Sequence, residues 1–331
     1  MPNQEEISYD AFKKKRPSWT KTTRRNIEYY ALLGGVKLGN QLSFEKLQWC
    51  GRCLGRIAYH LLKKDRGIVE QQLAIVFPTV SVAQRNQWAY DCFLHFGQML
   101  FEVLGMEHVI AEVDQRIAVY GEEFLKEGQE RGKGTIVLGA HLGNWEMLTP
   151  YFMKTGLSAK VAVKPLYDER LNKFFIELRE RGGVQLIQRG MPKAARAILD
   201  CFKQNQLFFV LIDQDTDVSS MFVPFFGRPA QTPVVASNLA LKTGALVLSG
   251  MAIRKPQGRF EIHLERVGVF EKKKYDKYDV LKLTAQFNDH IEQIIRRDPS
   301  QWAWFHRRWK HKPTEKDLQL LQEFEEVRER N

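Results

Sequence analysis

From about residue 107 to residue 312, short apolar runs alternate with longer amphipathic segments, and no other feature constrains the fold as strongly. The apolar runs suit buried strands, and they are "GTIVLGA", "AKVAVK", "GGVQLI", "QLFFVLID", "GALVLSGMAI" and "RFEIHLERV". The segments between them are long enough for helices, and they include "WEMLTPYFMK", "DERLNKFFIELRERG", "PKAARAILDCFKQ" and "PVVASNLALKTG". This alternation predicts an α/β fold with a mostly parallel central sheet flanked by helices.

The preceding region, residues 28–106, has helical rather than strand spacing. Apolar side chains recur there at three- and four-residue steps, as at Leu47, Cys50, Leu54, Ile57 and Leu61. Such a stripe is typical of helices, and Pro78 separates two of them, so three or four helices are expected. The predicted organisation is a basic segment 1–27, a helical region 28–106 that packs on the core and the membrane, an α/β core 107–312 and a charged helix 313–331.

Composition and charge narrow the function classes. The chain has 331 residues, 44% of them hydrophobic and 11% aromatic, which excludes a largely disordered protein. Its net charge of +11 predicts an anionic partner: nucleic acid, an acidic membrane surface or a phosphorylated substrate. Of the four cysteines only Cys50 and Cys53 are close in sequence, too few ligands for a zinc site, so reduced thiols are expected.

A membrane-spanning helix is not expected. The most apolar N-terminal stretch, "YYALLGGVKLGNQL", is interrupted by Lys37 and is shorter than the ~18 residues that a span requires. No apolar stretch of a secretory signal follows the polar N-terminus. Basic residues mixed with aromatics in segment 1–27 suit either an anionic interface or a solvated tail.

His141 directly follows the first apolar run of the core. Asn144 and Glu146 fall at the start of the next segment, where Asn is a good N-cap and a carboxylate is stabilised by the helix dipole. We expect Glu146 to accept a hydrogen bond from the imidazole, so that His141 acts as a general base without a serine or cysteine nucleophile. Its substrate is then an acceptor hydroxyl that attacks an acyl carbonyl directly. The alternative is a histidine that only bonds its neighbours.

Other charged residues lie at predicted strand ends, where the working groups of such sheets gather. Lys164 and Arg189 are candidates for binding a phosphate, or are surface cations. Asp213 and Asp215, in "DQDTD", are assigned a structural or acceptor-orienting role. Two aspartates without further ligands are weak grounds for a metal, and none is expected.

Two aromatic segments remain. "WAWFHRRWKHKP", which contains Arg307 and Arg308, has the composition of a nucleic-acid surface or of a lipid interface carrying anionic sugars. We predict no nucleic acid, because no RNA-recognition motif or phosphate loop accompanies it. "MFVPFFG", with Phe226 and Gly227, is predicted to be an irregular segment beside the strand ends that lines an acyl channel.

These motifs together resemble a known family. "HLGNWE" is an H-x4-E element similar to that of the lysophospholipid acyltransferase superfamily. With "VLIDQDTDVSSMFVPFFGRPAQTPVVASNLALKTGA" and "WAWFHRRWKHKP", the sequence resembles the late acyltransferases of lipid A biosynthesis over about residues 28–312. These enzymes usually begin with a hydrophobic anchoring helix, which Glu28, Lys37 and Glu45 dilute here.

The resemblance implies transfer of a fatty acyl chain from acyl carrier protein, with no cofactor, to a hydroxyl of a glucosamine-based lipid A precursor. It implies that His141 is the base and Glu146 its partner. The residues assigned to substrate binding are Asn144, Lys164, Arg189, Asp213, Asp215, Phe226, Gly227, Thr232, Arg307 and Arg308. The expected location is the cytoplasmic face of the inner membrane, on anionic lipid. The alternatives are another lipid or glycolipid acceptor, a thioester hydrolase, and an inactive binding protein.

Overall fold

The computed structural model describes residues 19–181, 184–189 and 193–330. In these ranges six α-helices precede the first strand, two of them short: α1 (Trp19–Gly39), α2 (Phe44–Leu61), α3 (Lys63–Val76), α4 (Val82–Leu104), α5 (Met106–Ala111) and α6 (Val113–Arg116). The N-terminal region is helical, as predicted. Helix α1 begins at Trp19, within the predicted basic segment 1–27, and residues 1–18 lie outside the described ranges.

In the described residues, the core that follows contains nine strands and seven α-helices. The strands are β1 (Ile117–Tyr120), β2 (Thr135–Gly139), β3 (Ala159–Val163), β4 (Val184–Gln188), β5 (Leu207–Leu211), β6 (Ser220–Phe225), β7 (Arg228–Pro233), β8 (Leu246–Lys255) and β9 (Arg259–Val269). The helices are α7 (Glu122–Arg131), α8 (Leu148–Thr155), α9 (Glu169–Arg181), α10 (Ala194–Lys203), α11 (Val235–Thr243), α12 (Lys277–Arg297) and α13 (Glu315–Arg330). All six predicted strands are present, whereas β1, β6 and β7 were not predicted.

Seven strands form the central sheet in the order β1-β9-β8-β2-β5-β3-β4. Every neighbouring pair is parallel except β8 with β9. The predicted α/β class with a mostly parallel sheet is therefore confirmed. Strand β2, which precedes His141, lies in the middle of the sheet and is buried along its whole length, because helices cover both faces, as parallel sheets require.

The sheet opens between β3 and β5 at the carboxyl ends of its strands. The ladder that joins them runs from Ala159–Leu207 only to Val161–Phe209. On either side, β2 stays paired with β5 as far as Leu211, and β3 stays paired with β4 as far as Val163. The last two residues of β3 and β5 therefore diverge, and a slot opens through the sheet beside His141.

Helices α2 and α4 pack closely through glycines. A Cβ atom on Gly55 would lie 2.4 Å from the carbonyl oxygen of Phe93, and one on Gly97 would lie 2.3 Å from that of Gly51. Such close approach is available only to residues without a side chain. Gly51 and Gly55 thus belong to the buried face of α2, whereas several of its large apolar side chains are exposed, among them Trp49, Ile57 and Leu61.

Candidate active site

The loop between β2 and α8 carries the H-x4-E element. Gly143 has φ +64°, and a Cβ there would lie 2.0 Å from the carbonyl oxygen of Ala252, so this position requires glycine. The next amide, that of Asn144, donates to that same carbonyl at 2.8 Å. Asn144 in turn caps the short 3₁₀ turn Trp145–Met147 by accepting from the amide of Glu146 at 3.1 Å, which confirms the predicted N-cap.

Asp213, rather than Glu146, holds the His141 imidazole. Nδ1 of His141 lies 2.8 Å from Oδ1 of Asp213, and the backbone amide of His141 donates to Oδ2 at 2.8 Å. The indole Nε1 of Trp302 also donates to Oδ2 at 2.8 Å. An ionised carboxylate only accepts, so Nδ1 carries the proton and Nε2 has the free lone pair that a base needs.

The charge of Asp213 is maintained although its side chain is fully buried. Burial by itself raises the pKa of this carboxyl, but the adjacent imidazole and the hydrogen bonds from His141 and Trp302 outweigh that effect. The pKa of Asp213 therefore lies below its ordinary value. The His141 side chain is about one-fifth exposed, at 21%, so it meets the solvent-accessible space while its partner does not.

The prediction that Glu146 accepts a hydrogen bond from the imidazole is wrong. Glu146 is buried and instead pairs with Arg179 of α9, which donates from Nε to Oε2 at 3.1 Å and from Nη2 to Oε1 at 2.5 Å. Burial by itself lowers the pKa of Arg179, but the charge of Glu146 and its hydrogen bonds raise it overall. The 3₁₀ turn that follows Asn144 directs the carboxylate to α9, away from the histidine.

Strand register explains why Asp213 takes this place. Gly139 and Leu211 are paired at the ends of β2 and β5, and His141 and Asp213 each follow two residues later. The two side chains consequently meet across neighbouring strands. Asp213 was assigned to the site from sequence, but as a structural or acceptor-orienting group, whereas Arg179 and Trp302 were missed.

Asp215 makes a second histidine contact with the same pattern. It accepts from the backbone amide of His311 at 2.9 Å and from the ring Nδ1 of His311, and its own amide donates to Nε2 of His306 at 2.9 Å. Asp215 therefore fastens the C-terminal segment 302–311 over the loop that carries Asp213. Among the described residues no group of three or more His, Cys, Asp or Glu side chains is arranged to hold a metal ion.

Arg308, predicted to contact substrate, is instead buried in the structure. It donates from Nη1 to the carbonyl of Gln231 at 2.6 Å and from Nη2 to the hydroxyl of Thr232 at 2.5 Å. Burial lowers its pKa to about 10. Thr232 is fully buried with it, whereas Arg307 is exposed. Arg308 and Thr232 thus hold the hairpin to the C-terminal segment, and neither lines the cavity beside His141.

The prediction that "MFVPFFG" is an irregular channel segment is also wrong. Strands β6 and β7 form a regular antiparallel hairpin, with Phe226 and Gly227 at its turn. Both turn residues have positive φ, 50° and 67°, as tight two-residue hairpins require. The hairpin packs on α12, where Glu292 accepts from the amide of Phe226. Neither turn residue lines the cavity beside His141.

An apolar cavity of about 580 Å³ opens beside His141. It enters the slot between β3 and β5, whose diverging residues Ala162, Val163, Val210 and Leu211 are among those that line it. Further lining residues include Trp145, Glu146, Phe152, Val161, Phe175, Arg179, Val184, Leu186, Ile198, Phe209 and Gln214. Gln214, between the two aspartates, was not assigned from sequence.

Lys164 and Arg189 line this cavity with His141, as their positions at strand ends predicted. They follow the paired ends of β3 and β4, and the amide of Arg189 donates to the carbonyl of Val163 at 2.8 Å. Lys164 and Arg189 are both exposed overall. The part of the Arg189 side chain that is buried lowers the pKa of its guanidinium below the ordinary value. The structure therefore brings two cations, a histidine–aspartate pair and a deep apolar space to one edge of the sheet.

A mostly parallel sheet with a histidine–aspartate pair at its carboxyl edge and an apolar cavity beside it is typical of an α/β enzyme with a largely apolar binding site. The family model described as bacterial lipid A biosynthesis acyltransferase matches residues 14–311. The chain belongs to this family and is an acyltransferase of lipid A biosynthesis.

Individual relatives are distant but matched over most of their length. The lauroyltransferase of lipid A biosynthesis from Escherichia coli K12 is 25% identical over 85% of this chain and 90% of its own. The palmitoleoyltransferase of the same strain is 27% identical over the same shares. A phosphatidylinositol mannoside acyltransferase of Mycobacterium tuberculosis is 23% identical over 66% of this chain and 68% of its own.

Proposed function

We propose that the enzyme transfers a fatty acyl chain from acyl carrier protein to a hydroxyl of a Kdo-bearing, tetra-acylated lipid A precursor. The observation that carries the proposal is the His141–Asp213 pair at the mouth of the apolar cavity. A base is thereby held next to a space suited to a hydrocarbon chain. This refines the expectation from sequence, because Asp213 replaces Glu146 as the group that orients the imidazole.

The reaction needs one base and no enzyme-bound intermediate. Nε2 of His141 removes the proton of the acceptor hydroxyl as its oxygen bonds to the thioester carbonyl carbon. Asp213 stabilises the imidazolium that forms. The carbon–sulfur bond then breaks, and the leaving thiolate takes the proton back from His141. Backbone amides, or a cation at the rim, stabilise the negative charge on the carbonyl oxygen in between.

Lys164 and Arg189 suit the anionic groups of the two substrates. They stand next to each other beyond β3 and β4 and face the cavity. Both the phosphopantetheine arm of acyl carrier protein and a lipid A precursor carry phosphate, which such cations bind well. The Glu146–Arg179 pair lines the same cavity but is self-neutralised, so it is suited to shaping the wall rather than binding an anion.

The slot between β3 and β5 suits the acyl chain of the donor. Its walls are formed by aliphatic and aromatic side chains from both strands and from the helices that pack on them. Burial of each methylene contributes about 0.8 kcal/mol, so a chain of the length that the E. coli relatives' names imply gains substantial binding free energy there. A thioester at the mouth then lies beside His141.

The experiment that tests this function uses purified enzyme with decanoyl, lauroyl, myristoyl and palmitoyl acyl carrier proteins and the Kdo-bearing precursor. Mass spectrometry of the lipid should show the gain of one acyl group, and His141→Ala should abolish it. A phosphatidylinositol mannoside is run in parallel because of the mycobacterial relative. Transfer only to that lipid would contradict the proposed acceptor, and release of free fatty acid without transfer to any lipid would indicate a hydrolase.

The pH dependence of the transfer reports on His141. A general base acts only while it is unprotonated, so kcat/KM should fall toward acid pH with a limiting slope of about tenfold per pH unit. Asp213 does not cause this fall: its pKa is lowered, so it stays ionised, and its stabilising effect is lost only at much lower pH. Initial rates between about pH 5 and pH 9 test this, and a flat profile contradicts a histidine base.

We also propose that the enzyme binds peripherally to the cytoplasmic face of the inner membrane. In the described residues no helix is both long and apolar enough to cross a bilayer. Helix α2 presents an outward stripe of Trp49, Ile57 and Leu61, which are 61%, 54% and 72% exposed. Exposed Arg52 and Arg56 flank it, a combination suited to an anionic lipid surface.

Replacing Trp49, Ile57 and Leu61 together by Ser should lower binding to vesicles containing about one-quarter phosphatidylglycerol by at least about tenfold, since three apolar anchors are lost. Vesicle co-flotation measures this. The matched control is Leu318→Ser with Val327→Ser, which removes exposed apolar side chains from α13. Equal loss in both variants, or no loss in the first, contradicts docking through α2.

A further inference from the structure

A cluster of polar side chains with little or no exposure contacts the catalytic loop. It consists of Gln48 of α2 and His95 and Glu102 of α4, which are buried, and Arg254 of β8, whose side chain is 10% exposed. None of the four lines the cavity. Glu102 is fully buried at its centre, paired with Arg254, whose Nη2 donates to Oε2 at 2.8 Å, and bonded by the amide of Gln48. We call these four residues the buried cluster.

The buried cluster holds the loop at two adjacent residues. Asn144 donates from Nδ2 to Oε2 of Glu102 at 2.6 Å, while its own oxygen caps Glu146. The neighbouring carbonyl of Gly143 lies 3.1 Å from Nε2 of His95. Gly143 and Asn144 both lie between His141 and Glu146. The cluster therefore contacts the part of the loop that determines the distance between those two residues.

His95 is fixed in one tautomer by its neighbours. Arg254 donates from Nε to Nδ1 of His95 at 3.2 Å, so Nδ1 accepts and the proton is on Nε2, which donates to Gly143. Burial lowers the pKa of His95 well below its ordinary value, and the charge of Arg254 lowers it further. The ring is therefore neutral, and the network is satisfied in a single arrangement.

A buried ion pair often stabilises a folded protein less than apolar residues of the same volume would. The presence of this cluster in the core therefore calls for another explanation. Stability does not account for a buried carboxylate one of whose oxygens accepts from a loop side chain as well as from Arg254. Its contacts instead fix the loop through the side chain of Asn144, in addition to the backbone bonds of Gly143 and Asn144. Small displacements of a catalytic group lower rates strongly.

We propose that Glu102 and Arg254 are positioning residues for acyl transfer: through Asn144 and His95 they fix the loop so that Nε2 of His141 faces the acceptor hydroxyl. The inference rests on the proposed function for the identity of the reaction, but not for the loop contacts themselves. It assigns a role in turnover to two residues that touch neither substrate nor the reacting atoms.

The principal test replaces the pair by apolar residues of similar volume, Glu102→Leu with Arg254→Met. This leaves no unpaired buried charge, but Asn144, Gln48 and His95 each lose a hydrogen-bond partner, so the variant is expected to fold with a lower thermal midpoint. We expect kcat to fall about 10- to 100-fold. KM for the acyl donor should stay within about threefold, because neither residue lines the cavity. The rate of backbone hydrogen exchange should rise at residues 142–147 of the loop and stay unchanged in the strands of the sheet.

The matched control removes another buried polar pair that is distant from the loop in sequence and contacts. Ser237 of α11 and Thr284 of α12 are both fully buried, with their hydroxyl oxygens 2.7 Å apart. Ser237→Ala with Thr284→Val should change the thermal midpoint but leave kcat as in the wild type. Equal loss of kcat in both double variants would mean that general core damage, rather than loop positioning, is measured.

A second variant, Arg254→Lys, keeps a positive charge opposite Glu102 and loses the bond from Nε to His95. It should lower kcat about three- to tenfold without raising KM. The proposal is overturned if either folded variant keeps the kcat of the wild type, or if only KM rises. If the double variant does not fold, wild-type kcat in Arg254→Lys is sufficient to overturn it. If the wild-type enzyme transfers no acyl chain, the proposed function fails, while hydrogen exchange at 142–147 still tests the positioning.

Discussion

Asp213→Asn is expected to lower kcat about 10³- to 10⁴-fold while leaving KM for both substrates nearly unchanged. Two donors, the His141 amide and the Trp302 indole, point at Oδ2. The amide oxygen of an asparagine must therefore occupy that position, which places its NH₂ group against Nδ1 of the imidazole. Nδ1 then has to accept, and the proton moves to Nε2, where it blocks the base.

Steady-state rates with acyl carrier protein thioester and lipid acceptor measure this effect. The thermal midpoint and the near-ultraviolet spectrum should show that the variant is folded, since its shape and two of its three hydrogen bonds are retained. Trp302→Phe, which removes one of the two donors on Oδ2, should cause a smaller fall, because the backbone amide still fixes the carboxylate.

Glu146→Gln is the comparison that separates the two carboxylates. It breaks the charge pairing of a partly buried arginine, Arg179, so a loss of stability is expected together with a decrease in kcat of about tenfold to 100-fold. The tautomer of His141 is unaffected, and the acid side of the pH profile should stay in place. A greater kcat loss for Glu146→Gln than for Asp213→Asn would contradict the assignment of Asp213 as the partner of the base.

The sequence contains enough information to predict the fold class and the position of His141 at the carboxyl edge of the sheet. Buried strands and amphipathic helices differ in period and length, so the alternation is visible residue by residue. His141, Lys164 and Arg189 follow strands, and parallel strands bring their carboxyl ends together whatever their order. The grouping of these three residues around one cavity therefore follows from topology alone.

The partner of His141 depends on information that local patterns do not contain. Asp213 lies 72 positions further along the chain, and only the adjacency and register of β2 and β5 bring it to Nδ1. Glu146 is close in sequence, and that closeness suggested the wrong bond. Knowing that β2 and β5 are neighbours would have sufficed, because both residues stand two positions beyond paired strand ends.

The burial of charged side chains is the second feature that could not be predicted from the sequence. Arg308 stands among exposed cations in an aromatic segment and has the pattern of a binding surface, yet its guanidinium is enclosed by the hairpin and by Phe225. Likewise, Glu102 and Arg254 belong to a helix and a strand that carry no motif. Their pairing across 152 positions has no local signature, since each is an isolated charge in its own segment.

The second large effect is expected from a substitution in the slot between β3 and β5. Ala162→Phe places an aromatic ring where β3 and β5 diverge and fills part of the space assigned to the acyl chain. If about four methylenes lose their burial, about 3 kcal/mol of binding is lost, which is roughly a 200-fold fall in kcat/KM for long-chain donors. Short donors such as butyryl acyl carrier protein, which do not reach the ring, should keep kcat/KM within about threefold.

Competition between two donors of different length in one reaction, read by mass spectrometry of the lipid product, measures this change directly. Ala118→Phe is the matched control: it makes the same substitution in another parallel strand of the sheet, at an exposed edge position that does not line the cavity. The control should keep the wild-type preference. A uniform loss with donors of every length in Ala162→Phe would mean that the ring disturbs the catalytic edge, and an unchanged preference would mean that the chain lies outside the slot.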